Sequence, residues 1–122
     1  MRTGQPFPLF EGSERHMRSY TYVDDAVKGL VLALDRLSAC LGEIINIGND
    51  QAVTTGEGIA TVETLLEKHA QIDRRPRRAG DQSRTHANIE KARRLLGYEP
   101  ATSLHEGLAR TVAWYQRNPE WT

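Results

Sequence analysis

Residues 18–25 of this 122-residue chain read Arg-Ser-Tyr-Thr-Tyr-Val-Asp-Asp, and the other predicted elements are arranged around them. Aromatic and β-branched residues alternate along it, which predicts a strand over residues 19–23 with Tyr20 and Tyr22 on one face. The two aspartates that follow favour the positively polarised start of a helix, and Asp24 is predicted as its N-cap. The stretch therefore predicts a strand that runs directly into a helix, with Arg18 at the start of the strand.

The helix after this stretch is predicted to reach about Leu37 and to bury one face. Its apolar residues recur with the spacing of a single helix face and are Val27, Leu30, Val31 and Leu34. The aspartates before it are interpreted as helix-start residues, with a general acid or base role as the alternative. The two tyrosines are interpreted as core aromatics rather than as a platform for a bound ring.

Short strands are also predicted on either side of this unit. Residues 7–10 (Phe-Pro-Leu-Phe) are apolar and contain a proline, which is typical of an edge strand, and a turn at residues 12–13 follows. Residues 44–47 (Ile-Ile-Asn-Ile) have the pattern of a buried strand, and residues 48–50 predict a sharp turn.

Three later helices are predicted from their capping residues. Two Ser/Thr–Glu pairs have the spacing of a capping box: Thr54 with Glu57, and Ser103 with Glu106. The first of these helices is predicted to continue to His69, and Asn88 is predicted to cap another helix that Gly97 ends. The elements together predict a small mixed α/β fold of short strands and about four helices, with residues 1–122 forming a single domain.

Composition narrows the classes of partner and compartment. Sixteen basic and sixteen acidic residues cancel, so the arginine cluster at residues 74–78 does not predict binding to nucleic acid. The longest apolar run, residues 30–34, is far shorter than the roughly 18 residues that span a bilayer, so no membrane partner is predicted. A single cysteine, Cys40, and an N-terminus without an apolar signal sequence predict a cytoplasmic protein.

The familiar catalytic motifs are absent from the 122 residues. The sequence contains no glycine loop of the dinucleotide-binding type, no Walker motif, no Tyr-x-x-x-Lys and no Gly-x-Ser-x-Gly. Its four histidines and Cys40 share no close spacing, so no metal site is predicted. The residues alone therefore indicate binding chemistry rather than catalysis.

Two arginines are the best candidates for that binding. Arg18 at a strand start and Arg78 two residues before a glycine suit a phosphate, because guanidinium offers a planar set of donors and keeps its charge. Asp81 is suited to accept from a sugar hydroxyl. The alternative is that Arg78 and Asp81 pair with each other or only with solvent.

Four motifs in a fixed order resemble a known family. Residues 18–25 are similar to the segment Arg-Asp-(Phe/Tyr)-x-(Tyr/His)-Val-Asp-Asp of the extended short-chain dehydrogenase/reductase family, which includes NAD-dependent nucleotide-sugar epimerases and dehydratases. Residues 46–48 resemble its Asn-(Ile/Leu)-Gly, residues 78–81 its Arg-x-Gly-Asp, and residues 91–100 its Lys-Ala-x-x-x-Leu-Gly-(Tyr/Trp)-x-Pro. Residues 102–115 then resemble the closing helix.

The resemblance covers the C-terminal, substrate-binding portion of that family and implies roles for five residues. Arg18 and Arg78 are expected to hold the nucleotide diphosphate and Asp81 to meet the ribose. Phe10 is expected beside the nucleobase, and Val53 is expected near another apolar wall of the site. Ser19 stands where the family most often has aspartate, and Asn88 likewise.

The implied protein is a nucleotide-sugar-binding domain without the Rossmann half of the fold. The family's glycine loop, Tyr-x-x-x-Lys and catalytic Ser/Thr lie N-terminal to the region matched, so we expect this chain to bind a UDP- or dTDP-sugar, to bind no NAD although the full-length relatives do, and to be inactive alone. The chain is expected to be a fragment, a truncated reading frame or a free-standing half. The alternatives are a non-catalytic protein-interaction domain that self-associates through the exposed surface, and a separate chain that supplies the cofactor half.

Overall fold

The computed structural model describes residues 5–121, which form four short strands and five α-helices. The strands are β1 (Phe7–Phe10), β2 (Met17–Ser19), β3 (Ala52–Thr54) and β4 (Ile72–Arg75). The helices are α1 (Val23–Asp35), α2 (Leu37–Cys40), α3 (Thr55–Leu66), α4 (Glu90–Leu96) and α5 (Leu104–Arg117), with 3₁₀ turns at Ser13–Arg15 and Pro119–Trp121. The mixed α/β class is confirmed.

The prediction that the N-terminus lacks a signal sequence rests largely on residues 1–4, which lie outside the described residues.

The described chain packs as two compact units. Unit 1 comprises residues 5–18, 53–84 and 103–121, and unit 2 comprises residues 19–52 and 85–102. The expectation of a single domain stays a prediction, because packing contacts do not measure whether two units unfold together.

Unit 1 is built on short strand pairs and two long helices. β1 pairs with β4 in parallel, with Phe7 opposite Ile72 and Phe10 opposite Arg75. The second pair joins β2 to β3, and α3 packs against α5. Because β1 and β4 are parallel, their carboxyl ends lie at the same edge, and the chain that leaves each strand there is available to build a site.

Local capping chemistry fixes the ends of the long helices. Thr54 Oγ1 accepts from the N–H of Glu57 at 3.1 Å and the Glu57 carboxylate accepts from the N–H of Thr54 at 2.6 Å, which confirms the predicted capping box. Ser103 Oγ accepts from the N–H of Glu106 at 3.2 Å at the start of α5. The predicted continuation of α3 to His69 is wrong, because the helix ends at Leu66 and the Glu63 carboxylate then accepts from the N–H of Ala70 at 2.7 Å.

Unit 2 packs around α4. Its core consists of Ile89, Ala92, Leu96 and Tyr98, each no more than 1% exposed. The N-cap position of α4 is Ile89 rather than the predicted Asn88, although the Asn88 side chain accepts from the N–H of Glu90 at 3.0 Å. Gly97 ends the helix with a φ of +64°. Helix α1 approaches this core through Gly29, where an added Cβ would lie 2.6 Å from Ile47 Cγ2.

The order of strand and helix in the opening stretch is correct, but the boundaries differ. The strand is β2 and ends at Ser19, and α1 begins at Val23 with Tyr22 in the N-cap position. The prediction of Asp24 as N-cap is therefore wrong, because both aspartates lie within the first helical turn. Residues 20–22 alternate like a strand, yet alternation does not supply the hydrogen-bonding neighbour that a strand requires.

Two predictions of burial in unit 2 are wrong. The apolar face of α1 is 49% to 72% exposed at Val27, Leu30, Val31 and Leu34. Residues 44–47 form no strand, and Ile44 is 86% exposed. The 3.6-residue period identifies an apolar helix face but does not say what covers it, and the part of α1 nearest the core is the side of Gly29, Leu32 and Ala33.

Candidate functional site

Arg18 and Asp81 lie together in unit 1. β2 runs beside residues 83–84, with the N–H of Met17 donating to Ser83 O at 2.8 Å. The Arg18 guanidinium therefore reaches the preceding turn, where Nη2 donates to Gln82 O at 2.7 Å and lies 3.5 Å from Asp81 Oδ1. Nη1 donates to Met17 O at 2.8 Å. These contacts fix the guanidinium and use three of its five N–H donors, which leaves two for a ligand.

The turn that carries Asp81 depends on a glycine. The N–H of Asp81 donates to Arg78 O at 3.4 Å, and Gly80 between them has a φ of +78°, a left-handed conformation that costs a residue with a Cβ. The turn aims the Asp81 carboxylate at Arg18 rather than at Arg78. The ion pair between Arg78 and Asp81, one alternative raised by the sequence, is not the pairing that this geometry forms.

Phe10 and Arg78 form a second contact at the edge where β1 and β4 end. The Arg78 guanidinium carbon lies 4.9 Å from the centre of the Phe10 ring, a cation–π arrangement. Phe10 ends β1, and Arg78 follows β4 by three residues, so the parallel pairing of the strands brings the two side chains together. Val53 is half-buried in β3, the strand that pairs with the strand of Arg18.

His16 is a site residue that the sequence did not single out. The residue is 7% exposed, and its Nδ1 lies 3.4 Å from Asp81 Oδ2. Its carbonyl oxygen accepts from the N–H of Thr55 at 2.9 Å, which ties the backbone of His16 to the start of α3. The signal available in the sequence was its position two residues before Arg18, because alternate residues of an extended chain share a face.

An open cleft of about 460 Å³ lies beside these residues in unit 1. Its lining is Glu11, Gly12, Arg15, His16, Arg77 and Ser83. Two arginines and one glutamate give the lining an excess of positive charge at neutral pH, which suits an anionic ligand. The residues that line the cleft come from the chain that follows β1, from the histidine beside Asp81 and from the chain that follows β4.

Asp25 has a structural role in unit 2. Its two carboxylate oxygens accept from the N–H groups of Ala101 at 3.1 Å and Thr102 at 2.9 Å. Burial raises the pKa of the Asp25 carboxyl, but these backbone N–H bonds outweigh burial, so its pKa lies below the ordinary value of 3.8. Such a group is ionised at neutral pH and engaged, which fits an anchoring role rather than proton transfer.

Two kinds of feature are absent from residues 5–121. No helix in that range is long and apolar enough to cross a membrane. In the same range, no three His, Cys, Asp or Glu side chains are grouped so that they could hold a metal ion.

Comparison with known proteins gives consistent matches over nearly the whole chain. The family model of GDP-mannose 4,6 dehydratase matches residues 1–111. UDP-glucuronate 4-epimerase 2 of Arabidopsis thaliana is 35% identical over 92% of this chain and 29% of its own length. An uncharacterised UDP-glucose epimerase of Bacillus subtilis is 34% identical over 90% of this chain and 34% of its own length.

Solved structures agree with these relatives. The UDP-glucuronic acid 4-epimerase of Bacillus cereus, in complex with UDP-glucuronic acid and NAD, superposes with a TM-score of 0.85 at 31% identity and covers 96% of this chain. An epimerase of Methanothermobacter thermautotrophicus superposes with a TM-score of 0.86 at 37% identity over 98% of this chain. The chain spans 37% and 35% of these two structures, or about a third of the proteins that it matches.

Proposed function

The chain belongs to the extended short-chain dehydrogenase/reductase family of NAD-dependent nucleotide-sugar epimerases and dehydratases, and from that premise we propose that it binds the nucleotide part of a UDP- or dTDP-sugar. Arg18 and Arg78 contact the diphosphate, Asp81 accepts from the ribose, Phe10 lies beside the base, and Val53 lies near another apolar wall of the site. UDP-sugars are bound by the relatives from Bacillus cereus and Thermotoga maritima, which supports this class of ligand.

The observation that carries the proposal is the fixed guanidinium of Arg18. Its side chain is 26% exposed and is held by two backbone carbonyl oxygens, from Met17 and Gln82. A cation that is already ordered loses little side-chain entropy when an anion arrives, and it retains N–H donors for the phosphate oxygens. Arg78 is more exposed and rests on the Phe10 ring, so it is placed to close over a ligand as a second cation.

NAD does not fit the residues of this chain. A dinucleotide site uses open N–H groups at a glycine-rich helix start. Among the described helices, α3 carries two glycines in its first turn, Gly56 and Gly58. The N–H groups of Thr54, Thr55 and Glu57 at this helix start already have acceptors, and the capping box places the Glu57 carboxylate at the helix end. That negative charge opposes a pyrophosphate. We therefore propose that these residues transfer no hydride by themselves and serve as the substrate-binding part of an isomerase reaction.

Calorimetric titration tests the binding proposal. UDP-glucose, UDP-glucuronate and dTDP-glucose are added to the folded chain, and at least one is expected to release heat that saturates at millimolar concentration or below. Arg18→Ala and Arg78→Ala are each expected to abolish the signal, while Arg94→Ala, a change at an exposed arginine of α4, leaves it unchanged. A folded chain that gives no heat with any of the three ligands contradicts the proposal.

A second candidate function, protein interaction, is favoured by the exposed apolar surface of unit 2. Eight large apolar residues between residues 23 and 44 are at least 49% exposed: Val23, Val27, Leu30, Val31, Leu34, Leu37, Leu41 and Ile44. A surface of this kind usually marks an interface. In this second candidate the surface pairs with another copy of the chain, and sedimentation velocity is expected to give a dimer that Leu30→Lys and Leu34→Lys dissociate.

A sedimentation profile that shows a monomer at all concentrations contradicts self-association. Co-purification of the chain with a separate cofactor-binding chain supports instead a partner subunit on this surface.

The cytoplasmic setting remains a proposal that rests on the single cysteine, and fractionation of cells that express the tagged chain tests it.

A further inference from the structure

Asp81 lies between two partners that approach different oxygens of its carboxylate. Arg18 Nη2 lies 3.5 Å from Oδ1, and His16 Nδ1 lies 3.4 Å from Oδ2. The Asp81 side chain is 15% exposed, so it is sheltered without being closed off from a ligand. A carboxylate in this position is restrained from both sides.

The contact between His16 and Asp81 is close but incomplete. His16 Nδ1 is buried and, among the described residues, meets no acceptor with hydrogen-bond alignment, although Asp81 Oδ2 is within ion-pair distance. A buried nitrogen without a hydrogen bond is costly, so a small rotation of the Asp81 carboxylate that aligns the two atoms is favourable. Catalytic and binding contacts are commonly long in the free protein and shorten when the ligand is present.

The backbone around His16 is held so that the imidazole stays in place. Its carbonyl oxygen accepts from both the N–H of Thr55 at 2.9 Å and the Thr55 hydroxyl at 3.3 Å. The next residue, Met17, donates to Ser83 O at 2.8 Å. The ring is therefore a fixed reference for the more exposed turn at residues 80–82, and it also lines the cleft that extends towards Arg15 and Arg77.

We propose that His16 is a positioning residue that fixes the Asp81 carboxylate for the two hydroxyls of a ribose, so that the site selects a ribonucleoside diphosphate over its 2′-deoxy counterpart. The inference rests on the proposed function, in which Asp81 accepts from the ribose. It narrows the ligand class to UDP-sugars rather than dTDP-sugars.

The chemistry of the carboxylate explains the selection. A carboxylate has about four acceptor positions, and Arg18 and His16 each occupy one, which leaves one position on each oxygen for the 2′- and 3′-hydroxyls. A ligand without the 2′-hydroxyl leaves one oxygen unsatisfied inside the site, and sites built to bond a hydroxyl reject analogues that lack it. Without the His16 bond only Arg18 restrains the carboxylate, so Oδ2 is no longer held towards the 2′-hydroxyl and the discrimination is lost.

Two variants at one position separate this role from a structural one. In His16→Asn the side-chain amide nitrogen occupies the place of Nδ1 and still donates, whereas His16→Leu fills the space without a donor. Dissociation constants for UDP and for 2′-deoxyuridine diphosphate are measured by calorimetry for the whole chain and both variants. Thermal unfolding of each protein establishes that it is folded under the conditions used.

The result expected is a ratio rather than a single affinity. The natural chain and His16→Asn bind UDP about tenfold more tightly than the deoxy ligand, the size of one lost hydrogen bond to a charged group, and His16→Leu binds both within about twofold. A loss of stability alone lowers both affinities and leaves the ratio unchanged. If His16→Leu fails to fold, His16→Ala takes its place as the variant without a donor, and it must likewise bind both ligands within about twofold.

The failures are distinguishable. If the chain binds UDP but does not discriminate against the deoxy ligand, or if His16→Leu keeps the discrimination, the role of His16 is wrong while the proposed function stands. If the folded chain binds neither ligand, both are overturned.

Discussion

The hydroxyl of Tyr98 donates to the carbonyl oxygen of Gly48 at 3.0 Å, in a part of unit 2 where Tyr98 is 0% exposed. This bond attaches the irregular segment at residues 43–48 to the core around α4. Desolvation by burial and the charge of Asp25 both raise the pKa of the Tyr98 phenol, so the hydroxyl remains a donor at neutral pH.

Replacing Tyr98 measures the strength of this attachment. Tyr98→Phe leaves the Gly48 carbonyl without its partner and is expected to lower the free energy of unfolding by about 1–3 kcal/mol, the cost of an unsatisfied buried group. Urea denaturation followed by circular dichroism gives the value. Tyr20→Phe, at a tyrosine that is 43% exposed, is the matched control, and an equal loss in both variants contradicts a special role for the buried bond.

Asp25→Asn is expected to change how stability depends on pH. The folded-state pKa of Asp25 lies below the unfolded value near 3.8, so ionised Asp25 stabilises the fold above that value, and this stabilisation is lost as the pH falls through the folded pKa. The variant places an amide against the N–H of Ala101 or Thr102 and loses about 1–3 kcal/mol at pH 7.

The difference in unfolding free energy between the natural chain and Asp25→Asn, measured from pH 7 to pH 3, tests this prediction. The difference should shrink below about pH 4, where the natural chain begins to lose the same interaction. Asp35→Asn, at the exposed end of α1, is the matched control and should give only a small difference at pH 7. A gap for Asp25→Asn that stays constant to pH 3 is evidence against the charge-dependent anchor.

Thr54→Ala removes half of the reciprocal cap on α3. The N–H of Glu57 loses its acceptor, and the expected loss is about 1 kcal/mol of unfolding free energy. Thr64→Ala, an exposed position in the same helix, is expected to stay within about 0.5 kcal/mol of the natural chain. Thermal unfolding of the two variants side by side checks the difference, and equal midpoints contradict it.

Gly80→Ala is expected to weaken ligand binding as well as stability. Gly80 and Gly42 have φ values of +78° and +74° and open space where a Cβ would stand, so alanine at either position is strained by the backbone alone, by about 1–2 kcal/mol. Only the turn of Gly80 aims Asp81 at Arg18. UDP affinity should therefore fall in Gly80→Ala and not in Gly42→Ala, while both lose similar stability, and an equal effect of the two on affinity argues against the turn as part of the site.

The features that the sequence predicted well are local ones. A capping box needs only Thr54 and Glu57, and the left-handed end of α4 needs only Gly97, so the spacing along the chain contains the necessary information. The strand at residues 44–47 and the buried face of α1 depend on neighbours distant in sequence, and the residues described here do not cover them. The alternation and the helical period of apolar residues show which face of a segment favours burial. Whether that face is buried depends on another segment packing against it.

The residues of the candidate site likewise fall into those that the sequence identified and one that only the fold revealed. Arg18, Arg78 and Asp81 were candidates from their chemistry and position in the sequence, and the motifs that resemble a family gave them roles. The contact of Arg18 with Asp81 follows from the way β2 runs beside residues 83–84. His16 carries no motif. Its importance appears only when the fold brings it within 3.4 Å of Asp81, a residue 65 positions later in the chain.

The apolar segment at residues 44–47 also has a consequence for handling the protein. An apolar backbone edge without a strand beside it is a template on which identical chains add in register, and three isoleucines in four residues raise that tendency. The Glu43 carboxylate, held 2.9 Å from Lys91 Nζ, lies directly before the segment, and its charge hinders such stacking. Solutions of this chain should therefore become prone to fibrils when Glu43 is neutralised, and a thioflavin assay of Glu43→Gln would report it.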